Sequence, residues 1–230
     1  MKFIKFIPSR GKSFSSLKPI KTAIPDWWKN GESLIDLPNG SPAPGMKACI
    51  PFMEIMNIGY CLVTPFDIYV SEGDEGNINI RWNSDPQWAS FIGERDQPLG
   101  ATIPRPAGHY PNGFVWSSVW GWKTPKGYSS IVTHPFNRYD LPFTTLSAVV
   151  DSDVFNAEGN IPFFVKKGFN GLIPEGTPFA QIIPIKRSRW KMWVDDSNVQ
   201  KIKKQGAIVR HPETTYKKAF WKKHNGDYNV

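Results

Sequence analysis

The stretch Thr124–Arg187 constrains the fold more than any other part of the chain. It packs short β-forming runs between Pro- and Gly-bearing turns and leaves no room for a long helix. The runs are Tyr128–His134 (YSSIVTH), Thr144–Asp151 (TTLSAVVD), Ile161–Val165 (IPFFV) and Phe179–Ile185 (FAQIIPI). β-Branched and aromatic residues fit a pleated, half-buried surface, whereas Pro removes a backbone donor and Gly weakens an element's interior. Two pieces say more than strand alone. Ala148–Asp153 (AVVDSD) is a β-run that ends in two acids, and Ile173–Ile185 (IPEGTPFAQIIPI) is a Gly-Pro turn that feeds an apolar strand. Strand ends of this kind set polar side chains at the rim of a small barrel.

The remainder extends the pattern. The 230 residues include 21 Pro, 19 Gly and 14% aromatics, which suits short strands and many turns better than helices. Strands are expected over residues 2–7, Leu62–Val70, Asn77–Trp82 (after the turn SEGDEGN) and Phe114–Trp122, where large and small residues alternate. Leu37–Gly45 reads as a loop. Helical spacing is confined to Ile24–Lys29, Lys47–Tyr60 with Gly59 as a stop, Asn198–Gln205 and the amphipathic Glu213–His224. No internal repeat occurs, which disfavours a solenoid or propeller. The expected fold is mainly β: a single β-clip-like or barrel domain with short N-terminal helices and a basic helical C-terminal tail. The expected division is a basic arm with loops (1–46), a β-rich core (47–185) and a basic, aromatic tail (186–230).

The net charge of +8 is unevenly placed. Residues 1–29 carry +6, residues 30–185 carry −6 and residues 186–230 carry +8. A basic arm and tail suit phosphates, an acidic partner surface or a neighbouring copy's acidic middle. Cys49 and Cys61 lie among apolar residues and are expected as buried free thiols, since a disulfide-stapled secreted chain carries more cysteines. No apolar run approaches the ~20 residues of a membrane span. Pro8 and Arg10 interrupt the N-terminal segment before a signal-peptide core forms. Synthesis inside a cell, with no membrane partner, is the expectation.

Pro125–Ile185 resembles the core of the dUTPase and dCTP deaminase superfamily, the β-clip barrels. The resemblance rests on Ala148-Val149-Val150-Asp151-Ser152-Asp153 and on Gly176-Thr177-Pro178-Phe179-Ala180-Gln181-Ile182-Ile183, in the family's order and spacing. It implies that Asp151 holds the place of the acid that orients the attacking water. The base-stacking aromatic would fall at Val154, which cannot stack, with Phe155 adjacent. Thr133-His134-Pro135-Phe136-Asn137-Arg138 stands where the phosphate-binding Ser-Gly stretch belongs. The Gly/Ser-rich closing motif is absent, and Glu158 matches the deaminase Glu only out of register. The whole chain also resembles an uncharacterised family of tailed-phage and marine-virus proteins, through Pro25–Trp28, Lys47–Phe52, Thr133–Arg138 and Gly176–Arg187. That resemblance implies a viral origin and supplies no function.

Other chemistry finds little footing. His109, His134, His211 and His224 show no metal-ligand spacing, a cupin-type ligand position holds Phe179, and His134 reads as a turn residue that caps backbone groups. No metal or cofactor is implied. Nucleophile-elbow, Walker A and dinucleotide fingerprints are missing. The ten tryptophans cluster as Trp27/Trp28, Trp116/Trp120/Trp122 and Trp190/Trp193/Trp221, and those on strands read as core. Arg187-Ser188-Arg189-Trp190-Lys191-Met192-Trp193 interleaves basic and aromatic residues. It suits single-stranded nucleic acid, or an anchor of the tail onto its own barrel, and the anchor is the reading adopted here. The function expected is a non-enzymatic phage-encoded assembly or interaction protein. It would be made in the host cytoplasm, with the virion as one destination and a homo-oligomer or another viral protein as partner. Its contact residues would include Arg187, Arg189, Trp190 and Trp193. The alternative is a nucleotide-binding or nucleotide-modifying β-clip enzyme. There Asp151 positions water, Arg138 holds a phosphate, and His134, Asn137 and Asp153 complete the site.

Overall fold

Strand pairing dominates the computed structural model, which describes residues 2–9, 16–82, 86–95, 98–210 and 216–222. The chain divides into two units. Among the described residues, one comprises 2–24 and 56–187 and the other Pro25–Ile55 and 188–222. The described residues among the first 24 thus count with the β unit. Leu17–Pro19 pairs with Tyr60–Val63, and Lys5–Pro8 with Trp120–Lys123.

The main sheet of the β unit has five antiparallel strands, in the order Ala148–Val150, Tyr128–Thr133, Pro178–Lys186, Tyr60–Val63, Leu17–Pro19. A second sheet orders Phe143–Thr145, Asn160–Val165, Phe114–Ser117, Ile92–Glu94, and a third orders Gly171–Ile173, Ile68–Glu72, Ile78–Trp82. The mainly-β expectation is met. The main sheet keeps two free edges, at Ala148–Val150 and Leu17–Pro19, and no barrel closes among the described residues.

Three expected strands are each two strands. Leu62–Val70 breaks at Pro65, giving Tyr60–Val63 and Ile68–Glu72 in different sheets. Phe114–Trp122 breaks at Ser118, whose hydroxyl donates to Trp120 O (2.6 Å) and redirects the chain. Thr144–Asp151 divides at Leu146–Ser147, where Thr145 Oγ1 donates to Phe179 O (2.6 Å) and Leu146 N–H to Pro162 O (2.8 Å). Each break carries one short run from one sheet to another, and the third joins the four-stranded sheet to the five-stranded one.

That core is aromatic. Trp116 is fully buried and stacks on Phe163 at 3.8 Å between ring centroids, with Phe179 at 4.9 Å and the edge of Phe143 at 5.2 Å. Phe179 comes from the five-stranded sheet and Trp116, Phe143 and Phe163 from the four-stranded one, so these rings join the two layers. Trp122 is also buried, and Trp120 donates its indole N–H to Ser16 Oγ (3.0 Å). The strand tryptophans are core, as their spacing predicts.

In the second unit Trp28 is buried and stacks on Phe52 at 5.4 Å. The expected loop at 37–45 is half of a hairpin, with Pro42–Pro44 pairing Leu34–Asp36. The expected helix 47–60 shrinks to Ile50–Ile55. Gly59, in the β unit, has φ +83°, and a Cβ there would collide with Ile182 O, so it serves strand approach rather than a helix stop. Cys49 is exposed, which corrects the expectation of two buried thiols, because it sits at the junction of a 3-10 turn and that short helix. Cys61 is buried, and burial pushes its thiol pKa up to about 12. The tail forms a helix over Val199–Arg210 and a turn of helix over Tyr216–Ala219. The rest of the predicted Glu213–His224 helix, apart from Phe220, Trp221 and Lys222, lies outside the described residues, as does His211.

Candidate functional site

The expected site residues fall into two groups at opposite ends of the Tyr128–Thr133 strand. At its start, the short Ala148–Val150 edge strand delivers the Asp151–Asp153 turn beside Ser129 and Arg187, the residue that follows the Pro178–Lys186 strand. Ser129 Oγ donates to Asp151 Oδ1 (2.7 Å), and Arg187 Nη1 reaches the same oxygen (3.2 Å) and Asp153 Oδ1 (2.9 Å). Arg187 Nη2 also donates to Asp153 Oδ2, which receives the Gly127 N–H (2.8 Å). Hydrogen bonding to Arg187, and then to the Gly127 N–H, holds Asp153 down to a pKa of about 2. Below this surface lies a buried hydroxyl chain. Ser152 Oγ meets Thr124 Oγ1 (2.9 Å) and Ser130 Oγ (2.8 Å).

The two acids therefore differ. The Asp153 side chain is 4% accessible and its charge is paired with Arg187, whereas the Asp151 side chain is 64% exposed and, among the described residues, engages partners through Oδ1. Val154 and Phe155 beside them are exposed, and their N–H groups bond Asp151 O.

The second group begins five residues further on, about 17 Å from Ser129 at a rise of about 3.4 Å per residue. His134 accepts the Thr145 N–H at Nδ1 (3.3 Å), so Nε2 carries the proton and donates to Arg138 O (3.0 Å). Burial first, then the cations Lys166 and Arg138, lowers its pKa against the opposing pull of the Arg138 carbonyl and Asp140. Asn137 has φ +60°, and the Arg138 N–H bonds Pro135 O (3.2 Å), which makes 135–138 a type II turn with Asn137 at its left-handed position. Arg138 grips Asp140 through Nε (2.9 Å) and Nη2 (2.8 Å) and donates Nη1 to Ala23 O (2.9 Å). His134, Asn137 and Arg138 thus build a turn, with His134 held by backbone groups and Arg138 by Asp140 and the Ala23 carbonyl, and the chain does not bring them to Asp151.

Reading the sequence missed Gln181. It is fully buried, accepts the Phe136 N–H at Oε1 (3.0 Å) and donates Nε2 to Ile58 O (2.8 Å), tying the 135–138 turn to the main sheet. A lone amide inside the apolar run FAQIIPI was the available signal. Ser129, Ser130, Ser152 and Thr124 carried none beyond their place in strands and turns. In the tail, Trp190 (89%) and Trp193 (87%) are exposed, which corrects the expectation that they serve as buried anchors of the tail. Among the described residues, no group of three or more His, Cys, Asp or Glu side chains gathers as a metal site would, and no helix is long and apolar enough to cross a membrane.

No family model matches the chain, and no curated protein does. Among solved structures, a mutant dUTPase from phage phi11 of S. aureus aligns with 46% of this chain and 97% of its own, at 11% identity and a TM-score of 0.27. A likeness at that level carries no argument.

Proposed function

We propose that this chain is a viral interaction protein that engages a partner protein, or a second copy, through the segment following Arg187. The supporting observation is a run in which Trp190, Met192, Trp193 and Val194 are all more than four-fifths exposed, interleaved with Arg189 and Lys191. Exposed apolar side chains in a contiguous patch mark interaction sites, and Trp and Arg supply most interface energy. The viral origin rests on the family resemblance of the whole chain, with assembly in the host cytoplasm or into a virion as its setting. The Trp190→Ala/Trp193→Ala double variant tests the reading in the full chain. Each truncation is expected to weaken partner capture or self-association by roughly 30-fold, the cost of losing an interface anchor of about 2 kcal/mol. Light scattering and capture that match the parent protein would overturn it. Binding to single-stranded nucleic acid, falling steeply with salt, would assign the tail to phosphates instead.

A second reading has one observation in its favour. Asp151 has one oxygen fixed by Ser129 and Arg187 while the carboxylate as a whole stays exposed, which suits a group that orients water in a nucleotide-processing β-clip enzyme. A thermal-shift screen against deoxynucleotides, repeated with Asp151→Asn, tests it. A shift with one pyrimidine nucleotide that Asp151→Asn removes would support it, and no shift with any would count against it.

A further inference from the structure

A pocket of about 660 Å³ lies beside the turn Lys166–Phe169, away from the Asp151 network and independent of the tail. Its volume is within the ~300–1,000 Å³ of small-molecule sites. One wall is cationic and rigidly built. The Lys166 N–H donates to Pro142 O (2.9 Å), the Lys167 N–H to Gly108 O (2.9 Å) and the Gly168 N–H to the Tyr110 hydroxyl (3.2 Å). The Phe169 N–H closes the turn on Lys166 O (3.3 Å) with Gly168 at φ +80°, a type II turn that puts Lys167 at its outer corner.

The charges on this wall are not balanced. Lys166 Nζ donates to Tyr139 O (2.6 Å), a neutral acceptor. The Lys167 ammonium has no ion pair or side-chain hydrogen bond among the described residues. The third cation, Arg138, already holds Asp140, the pocket's acid, through two nitrogens. Two lysine charges are therefore left for a ligand. The rest of the lining is mainly apolar and includes Leu141, Phe169, Leu172 and Ile173. Phe169 packs on the core while Leu172 is 43% exposed.

We propose that this pocket binds a small organic anion. A carboxylate or phosphate head pairs with Lys167 and Lys166, and a planar or aliphatic body lies against Phe169 and Leu172. The Tyr139 carbonyl already holds the Lys166 ammonium, the exposed Lys167 side chain orders on binding, and the apolar lining strengthens their attraction for an anion. A cationic ligand would meet the uncompensated lysines and an acid already taken.

The test uses phenyl phosphate and benzoate as probes, with inorganic phosphate and benzyl alcohol as controls, by calorimetry and amide chemical-shift mapping. One aryl anion is expected to bind saturably, with shifts clustered on residues 166–173, and the better of the two identifies the head group. Lys167→Ala, at an exposed turn corner, should weaken that binding roughly five- to tenfold, the loss of one charge-assisted contact. Leu172→Ser should weaken the aryl anion while leaving inorganic phosphate unchanged. Three results would overturn the proposal: no saturable binding of either aryl anion up to about 10 mM, a weak limit for any specific site; benzyl alcohol binding as well as the anions; or Lys167→Ala binding like the parent.

Discussion

Arg187 closes a fork on Asp153, with Nη1 2.9 Å from Oδ1 and Nη2 on Oδ2, and so ties the end of the longest strand to the turn after Val150. The pair fixes the rim of the five-stranded sheet, and it also removes one of the two acids that first suggest catalysis. Its pH dependence has a definite sign. The folded pKa of about 2 lies below the ordinary 3.8, so the ionised form favours folding. That contribution is complete above about pH 4 and is lost as pH falls through 2. Asp153→Asn should melt below the parent at pH 7, and the gap should close between pH 4 and pH 2. A gap that stays constant across that window would mean the ion pair does not stabilise the fold.

His134 makes the opposite use of charge. Its hydrogen bonds from Thr145 N–H and to Arg138 O need the neutral ring with the proton on Nε2. Burial lowers the pKa below 6.5, so the unfolded chain binds the proton first as pH drops. Stability from this residue is therefore full above pH 6.5 and declines below it, toward the folded pKa. An NMR titration should give His134 a midpoint under 6.5, and His134→Gln should flatten the stability profile between pH 6.5 and that midpoint. A midpoint at or above 6.5 would contradict the buried neutral ring.

Gln181 carries a larger penalty because both ends of its amide are used inside the protein. Gln181→Met keeps the volume but leaves the Phe136 N–H and the Ile58 carbonyl without this partner. Each unmade buried hydrogen bond costs about 1–3 kcal/mol, so a loss of about 2–6 kcal/mol is expected in urea unfolding. A loss under about 1 kcal/mol would show that water replaces the amide at both groups.

How far the sequence reveals the fold depends on how local each cause is. Ile161–Val165 and Phe179–Ile185 are legible because β-branched and aromatic residues predominate there, and both appear within a residue of expectation. The sheet changes at Ser118 and Leu146 are not legible, since a side-chain hydroxyl or a distant carbonyl causes them rather than Pro or Gly. The site shows the same limit. Asp151, Asp153 and Arg187 are legible as charged residues at strand ends, and their meeting depends on the antiparallel register Tyr128↔Lys186. Arg138 looks like a ligand-binding residue in sequence, because nothing local announces that the distant Ala23 carbonyl takes up its Nη1, whereas the turn-capping reading of His134 matches its bonds to the Thr145 N–H and the Arg138 carbonyl.

Trp116 separates packing from hydrogen bonding in the core. It is fully buried against Phe163, Phe179 and Phe143, yet its indole N–H has no acceptor among the described residues. Its value must then come from area and shape, with no hydrogen bond to lose. Trp116→Ala should cost about 3–5 kcal/mol, because the rings of two sheets line the space it vacates and cannot all collapse into it. Trp116→Phe keeps a ring against Phe163 and sheds an N–H that is itself a burial cost, so its penalty should be less than half as large. Chemical denaturation of the two variants decides the point. Equal losses would mean that the indole N–H has a partner, such as a buried water, and that the polar atom rather than the ring stack holds the two sheets together.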